Sequence, residues 1–249
     1  MRVALRAVLA LVVLAAAAVL LAPASLLDAP LAARTGGRLH LVDARGFWWR
    51  GQGQVATDDG RARMPLAWRV AFVPLLARSL VVELGTAADA TLPTGALRLR
   101  DGDVEMHALR LTIPAALVPA LVPALANVAL RGDIDLHAPS FAWRRDAATG
   151  TFDATWQHAR TIAGGFAVDL GSVSVSGAPA ADGVTAIVRN AGGDVVIDGS
   201  VAVHASVIDA SVDLAPGPGA PQALRTMLPL LGPADAAGRV RVAWRSDRR

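Results

Sequence analysis

The sequence predicts a mainly β protein, with a single N-terminal transmembrane helix followed by a curved, mostly antiparallel β-sheet domain that carries one or two short helices. Three observations carry that prediction. A charge-free run opens the chain, apolar and polar residues alternate with period two over most of the remaining residues, and Asp-Gly dipeptides punctuate the alternation.

Ala7 to Leu27 hold 21 positions without a charge, behind Arg2 and Arg6. About 20 apolar residues at 1.5 Å rise cross the hydrocarbon core of a bilayer. A buried soluble helix would show a polar face, and this run has none. Ala22-Pro23-Ala24 also satisfies the small-x-small rule of a signal peptidase. The run is long for a signal peptide, however, and Leu26 and Leu27 continue it past the cut, so an uncleaved anchor is the better reading. Arginines on the short leading side keep the N-terminus cytoplasmic and send the rest across the inner membrane. The expected organisation is a tail at 1–6, an anchor at 7–27, a linker at 28–37 and a β-rich domain at 38–249, with two β units at 38–113 and 128–245.

The chain contains no cysteine, which excludes disulfides, thiol nucleophiles and thiolate metal sites. Its basic residues are all arginine, and glutamate occurs only at Glu83 and Glu105. Residues 1–78 carry ten Arg against four Asp, so the membrane-proximal part is basic; an ordinary solvated surface is the first reading of that charge and contact with anionic head groups the second.

Period-two alternation marks half-buried strands. Val240, Val242 and Trp244 alternate with Arg239, Arg241 and Arg245, and Val173 and Val175 lie between Ser172, Ser174 and Ser176. Leu97 and Leu99 alternate with Arg98 and Arg100, as Ile134 and Leu136 do with Asp133, Asp135 and His137. Asp59-Gly60, Asp101-Gly102, Asp182-Gly183 and Asp198-Gly199 supply hairpin turns. The phase slips at Gly171 and again between Val207 and Ile208, which predicts bulges and a strongly curved sheet. Pro114 to Asn127 holds three prolines and reads as a broken helical connector. Pro221 to Leu231 reads as a helix with Leu224, Met227, Leu228 and Leu231 on one face, stopped by Gly232-Pro233.

The triplet Ala-Trp-Arg occurs at 67–69, 142–144 and 243–245, and Trp49-Arg50 adds a fourth Trp-Arg pair. On a strand, neighbours point to opposite faces, so each pair places an indole on the apolar face and a guanidinium in water.

Catalytic chemistry is not written in the residues. His40, His107, His137, His158 and His204 are isolated in sequence and lack metal-ligand spacing. Asp101 to Glu105 lacks the ligand series of a Ca²⁺ loop, and Asp133 and Asp135, two carboxylates on one strand face, read as a solvent-facing edge rather than an acid–base pair. No nucleophile elbow, phosphate loop or zinc pattern is present, and the arginines are not interleaved with stacking aromatics. The expectation is a non-enzyme without catalytic, cofactor-binding or metal residues, which does not bind nucleic acid.

The order of motifs resembles the type II secretion system protein N family. The residues that carry the resemblance are the leading anchor, then Gly46-Phe47-Trp48-Trp49-Arg50-Gly51-Gln52-Gly53, then Leu66-Ala67-Trp68-Arg69-Val70 before a Pro74-Leu75-Leu76 run. Val128 to Leu136, Ala142-Trp143-Arg144 and Leu228-Pro229-Leu230-Leu231-Gly232 before a final strand complete it. The resemblance covers nearly the whole chain. It implies a single-pass inner-membrane accessory protein of the machine that exports folded periplasmic proteins, with a β-rich periplasmic domain and other secretion subunits as partners. It carries over no catalytic residue.

Within the motif, Gly46, Gly51 and Gly53 suit a tight turn or bulge, and Trp48, Trp49 and Trp68 suit core packing. Adjacent tryptophans on a strand cannot share one face, however. Phe47 and Trp49 make the more apolar pair and are assigned to the core, which leaves Trp48 and Arg50 outward as a docking point. The candidate interaction residues are thus Trp48, Arg50, Trp49, Gly51, Trp68 and Trp143. The alternative reading is an AsmA-like envelope protein whose apolar β groove holds lipid.

Overall fold

The computed structural model describes residues 18–76, 78–85, 92–122, 125–144, 147–163, 165–181, 183–204, 207–235 and 238–247. The first strands are β1 (Leu39–Phe47), β2 (Arg50–Thr57), β3 (Arg63–Ala71), β4 (Ser79–Leu84), β5 (Thr94–Arg100) and β6 (Asp103–Pro114). Longer ones come next: β7 (Leu130–Arg144), β8 (Ala147–Ala163) and β9 (Phe166–Ala180). The last are β10 (Gly183–Ala191), β11 (Val195–His204), β12 (Val207–Pro216) and β13 (Val240–Asp247). Each pairs antiparallel with its sequence neighbours, which makes one 13-stranded meander. β6 pairs with β7 along its length, so the strands of 38–113 and 128–245 are contiguous in one sheet.

The alternation sorts the two faces. One face carries the apolar side chains and is covered by short helical segments. Ala24 and Leu31 pack on Leu41 and Trp68, Leu117 on Leu39, and Leu224 and Leu228 on Val168, Val195 and Val240. The other face is polar and laced by cross-strand ion pairs, Arg160–Asp169, Arg189–Asp198, Arg241–Asp213 and Arg245–Asp209 among them.

The sheet is curved, as expected. Three strand spacings put β3 and β6 about 14 Å apart in a flat sheet, yet their Cα atoms come within 8 Å. The phase slip at Gly171 is a bulge: Gly171 (φ 71°) opposes Ala159, beside His158 at φ 50°. Gly132 (φ 102°) repeats the irregularity on the neighbouring strand pair, where a Cβ would lie in contact with the carbonyls of Gln157 and His158. Asn190 holds the ladder beyond it. Its amide donates to the carbonyls of Leu170 (2.8 Å) and Val195 (2.6 Å) while its oxygen accepts from the Ile197 N–H.

Several expectations are corrected. The parity change between Val207 and Ile208 is no bulge, because the hairpin of β11 and β12 has just turned the chain: Val203 pairs Ile208 and Val201 pairs Ala210. Asp198-Gly199 is the middle of β11, where a Cβ on Gly199 would meet Ser211 O at 2.6 Å, the close backbone approach that selects glycine inside a strand. The turn there is Gly192-Gly193-Asp194. The C-terminal helix stops at Met227 and tightens into a 3₁₀ turn over Leu228–Leu230, because Pro229 cannot extend the hydrogen-bond ladder. Leu231 consequently leaves the packed face and lies exposed.

The expected anchor Ala7–Leu27 lies outside the described residues as far as residue 17. Residues 18–20 are helical, but the chain breaks at Leu21. Pro23 bridges Phe47, and Ala24–Leu27 form a 3₁₀ turn with Ala24 1% exposed. Residues 22–27 therefore belong to the sheet domain. Pro23 removes a donor where a continuing helix needs one. Among the described residues no helix is long and apolar enough to cross a membrane. Residues 28–37, expected as a linker, carry the helix Asp28–Thr35, which ends on Gly36 in the left-handed region with its N–H on Ala32 O.

Candidate interaction site at the first hairpin

The β1–β2 hairpin brings the candidate residues together, and it begins with glycines. Gly46 (φ 91°) pairs Gly51 across the ladder. A Cβ on Gly46 would sit 2.6 Å from Arg50 O, and one on Gly51 would sit 2.7 Å from both Arg45 O and Trp68 Cζ2. The bare surface at Gly51 is therefore the bed of the Trp68 indole. Trp68 is 7% exposed and packs with Ala24, Leu41, Leu66 and Leu84. Its Nε1–H donates to Trp48 O at 2.9 Å, which ties the core of β3 to the hairpin turn.

Trp48 and Trp49 form the turn itself, since Phe47 pairs Arg50 across it. The expectation that one faces the core and the other faces out is corrected, because alternation applies to strand residues and not to the two that reverse the chain. Both indoles are half-buried, and both reach the same object. Trp48 Nε1–H donates to Val19 O at 2.6 Å and Trp49 Nε1–H to Leu20 O at 2.8 Å, while the Trp48 backbone N–H donates to Ala22 O at 3.1 Å. The last carbonyls of a helix have no partner within it. Here the two indoles take those of Val19 and Leu20, and the turn amide takes the Ala22 carbonyl just beyond the helix, each indole keeping its apolar ring in a different setting from its N–H.

Phe72, at the start of the short helix Phe72–Leu76 after β3, completes the cluster. It meets Trp48 edge-on at 6.0 Å and Trp49 at 5.4 Å between ring centroids, and Phe47 stacks on Trp49 at 5.9 Å with planes 4° apart. Offset and edge-on pairs of this kind add roughly 0.5–1.5 kcal/mol each beyond area burial. Sequence reasoning passed over Phe72 and the Val19 and Leu20 carbonyls. The Phe72-Val73-Pro74-Leu75 run directly after a strand was the available signal for Phe72, whereas backbone acceptors leave none.

Beside the aromatic turn, on the polar face, lies a shallow cleft of about 580 Å³ lined by Arg45, Arg50, Arg69 and Glu83. Arg50 stands directly across the ladder from Arg69, an unfavourable like-charge pair, and Glu83 approaches Arg69 only to 3.9 Å. Basic charge therefore predominates there.

Trp143 stands apart. It lies on β7, paired with Val104 and Ala148, and packs against the Leu109–Phe141 cluster. Its neighbour Arg144 directs two N–H groups at one Glu105 oxygen (3.0 and 2.5 Å). That hydrogen bond, more than the charges of Arg144 and Arg98, holds the Glu105 carboxyl below the usual carboxylate range. Among the described residues no group of three or more His, Asp or Glu is placed to hold a metal ion. In the bulge row, Asp169 and Asp194 spend carboxylate oxygens on the backbone N–H groups of Gly171 and Asp169.

Comparison with curated proteins and with solved structures returned no match. The family model described as type II secretion system (T2SS), protein N matches residues 37–243, the span from just before β1 into β13. The chain belongs to the type II secretion system protein N family.

Proposed function

We propose that this protein is a membrane-anchored, non-catalytic accessory component of the type II secretion system that supports export of folded periplasmic proteins. The observation that carries the reading is the family match over 37–243, which takes in nearly every strand. The charge-free segment that begins at Ala7 is the inner-membrane anchor, residues 1–6 are cytoplasmic, and the sheet stands in the periplasm. Its partners are other secretion subunits.

Deletion of the gene tests this directly. Cargo should accumulate in the periplasm and disappear from the medium, and the intact chain should restore export. Normal export in the deletion strain would overturn the reading. The lipid-groove alternative has less support, since Trp68, Phe141, Phe152, Leu117, Leu224 and Leu228 fill much of the covered face. Phospholipid retained in native mass spectra of the purified chain, inside the sheet, would revive it.

A further inference from the structure

The corner where the chain enters the sheet leaves a surface that membership of a secretion assembly does not explain. Leu20, Leu21, Phe47, Phe72 and Val73 are all open there, Val73 to 80%. They come from three separate stretches of chain, and the ring contacts of Trp48, Trp49 and Phe72 join them into one patch. Arg45, Arg50 and Arg69 border it against the single carboxylate of Glu83. The neighbouring turn at the same end of the sheet, Asp101-Gly102, is polar, so an apolar corner is not a general property of these strand ends.

The position of the chain identifies the occupant. The charge-free sequence Ala7–Leu21 leads straight to this corner, and both indole N–H groups hold carbonyls at its end. Ala22 and Pro23 are tied to the hairpin, so the apolar run cannot lengthen on this side. Its fifteen residues would cover about 22 Å as a helix, less than the ~30 Å of bilayer hydrocarbon. A short span draws its flanking surface into the interface. Indoles, exposed apolar side chains and arginines are the composition that the head-group layer accepts.

We propose that the corner made by the Trp48–Trp49 turn and the Phe72–Leu75 segment is seated in the head-group layer of a bilayer containing anionic phospholipid, with Arg45, Arg50 and Arg69 turned toward phosphates. The indole caps then make span and sheet one rigid unit, so the sheet stands at a set angle to the membrane. This rests on the membrane-anchored reading above.

The test uses the full chain in vesicles of phosphatidylethanolamine and phosphatidylglycerol, with acyl chains brominated near the head group as quenchers of tryptophan fluorescence. The wild-type chain should float with the vesicles and be quenched. Trp48→Phe/Trp49→Phe should lose most of that quenching and Trp244→Phe should lose none. Val73→Asp, which leaves every indole in place and touches no core, should also reduce it. Replacing phosphatidylglycerol with phosphatidylcholine should weaken the quenching, and equal quenching in both would overturn the anionic assignment. A chain that floats but whose quenching is absent, or indifferent to the Trp48/Trp49 pair and to Val73→Asp, overturns the seated corner and leaves the anchor standing. A chain that does not float at all removes the anchor itself.

Discussion

Trp68-Arg69 and Trp244-Arg245 are the same Ala-Trp-Arg triplet on two strands of one sheet, and they meet different fates. In both, the indole takes the apolar face and the guanidinium the polar one, Arg69 facing Glu83 at 3.9 Å and Arg245 facing Asp209 at 3.6 Å. Trp68 is 7% exposed, whereas Trp244 is 51% exposed. The difference lies in what surrounds them. Trp68 has Gly51 beneath it, a second strand on either side and the Ala24–Leu27 turn above. Trp244 sits on β13, the last strand in the sheet order, with β12 as its neighbour among the described strands, and opposite it stands the small Ala210. Local alternation decides direction, but cover comes from chain segments remote in sequence.

Trp68→Ala should show the largest effect. Truncating a buried indole costs about 3–5 kcal/mol, enough to threaten a marginally stable domain, and here it also strands the Trp48 carbonyl. Thermal melts of the full chain in detergent measure it, and a shift no larger than that of Trp244→Ala would erase the contrast. Gly51→Ala attacks the same site from below. The added Cβ meets backbone at Arg45 as well as the Trp68 ring, so it should cost about 1–3 kcal/mol. A neutral Gly51→Ala would mean that the indole does not rest there.

Trp244→Ala should cost about 1 kcal/mol or less, since half its surface is already in water. A larger loss would show that something covers the β13 edge. The polar face should give the smallest effect, visible in its pH dependence. Arg144 and Arg241 hold the Glu105 and Asp213 carboxyls below the usual range. A lowered folded pKa contributes stability above the unfolded carboxylate range, lost as pH falls through the folded value. Melting temperature should therefore decline below about pH 4, and Glu105→Gln and Asp213→Asn should flatten that decline. An unchanged slope would show that these pairs are too screened to matter.

How much was legible depends on how local the cause is. The strand runs around Val173, Ile134 and Val240 and the Asp101-Gly102 turn, with φ of 48° and 91°, were readable because pleat and turn geometry involve few residues. Parity changes were readable as events, though not as kinds of event. The one at Gly171 is a bulge and the one near Val207 a hairpin, and only the pairing partner separates them. The candidate residues Trp48, Trp49, Arg50, Gly51 and Trp68 do converge on one hairpin. Their faces were misread at Trp48 and Trp49, because a strand pattern gives no sign of where the chain reverses.

By itself the sequence determined the mainly β class, the opposition of apolar and arginine-bearing faces, the family, and the charge-free run that begins at Ala7. The class, the two faces and the charge-free run come from composition and from spacing of one to four residues, and the family from the order of motifs along nearly the whole chain. Only the tertiary structure decided that Gly51 lies under Trp68, that two turn indoles close the helix ending at Leu20, and that Trp68 is sealed while Trp244 is open. Each of those rests on contacts between segments 17 or more residues apart, which local pattern cannot encode: cover and register are properties of the assembled sheet, and a single strand's alternation is the same whether or not anything lies above it.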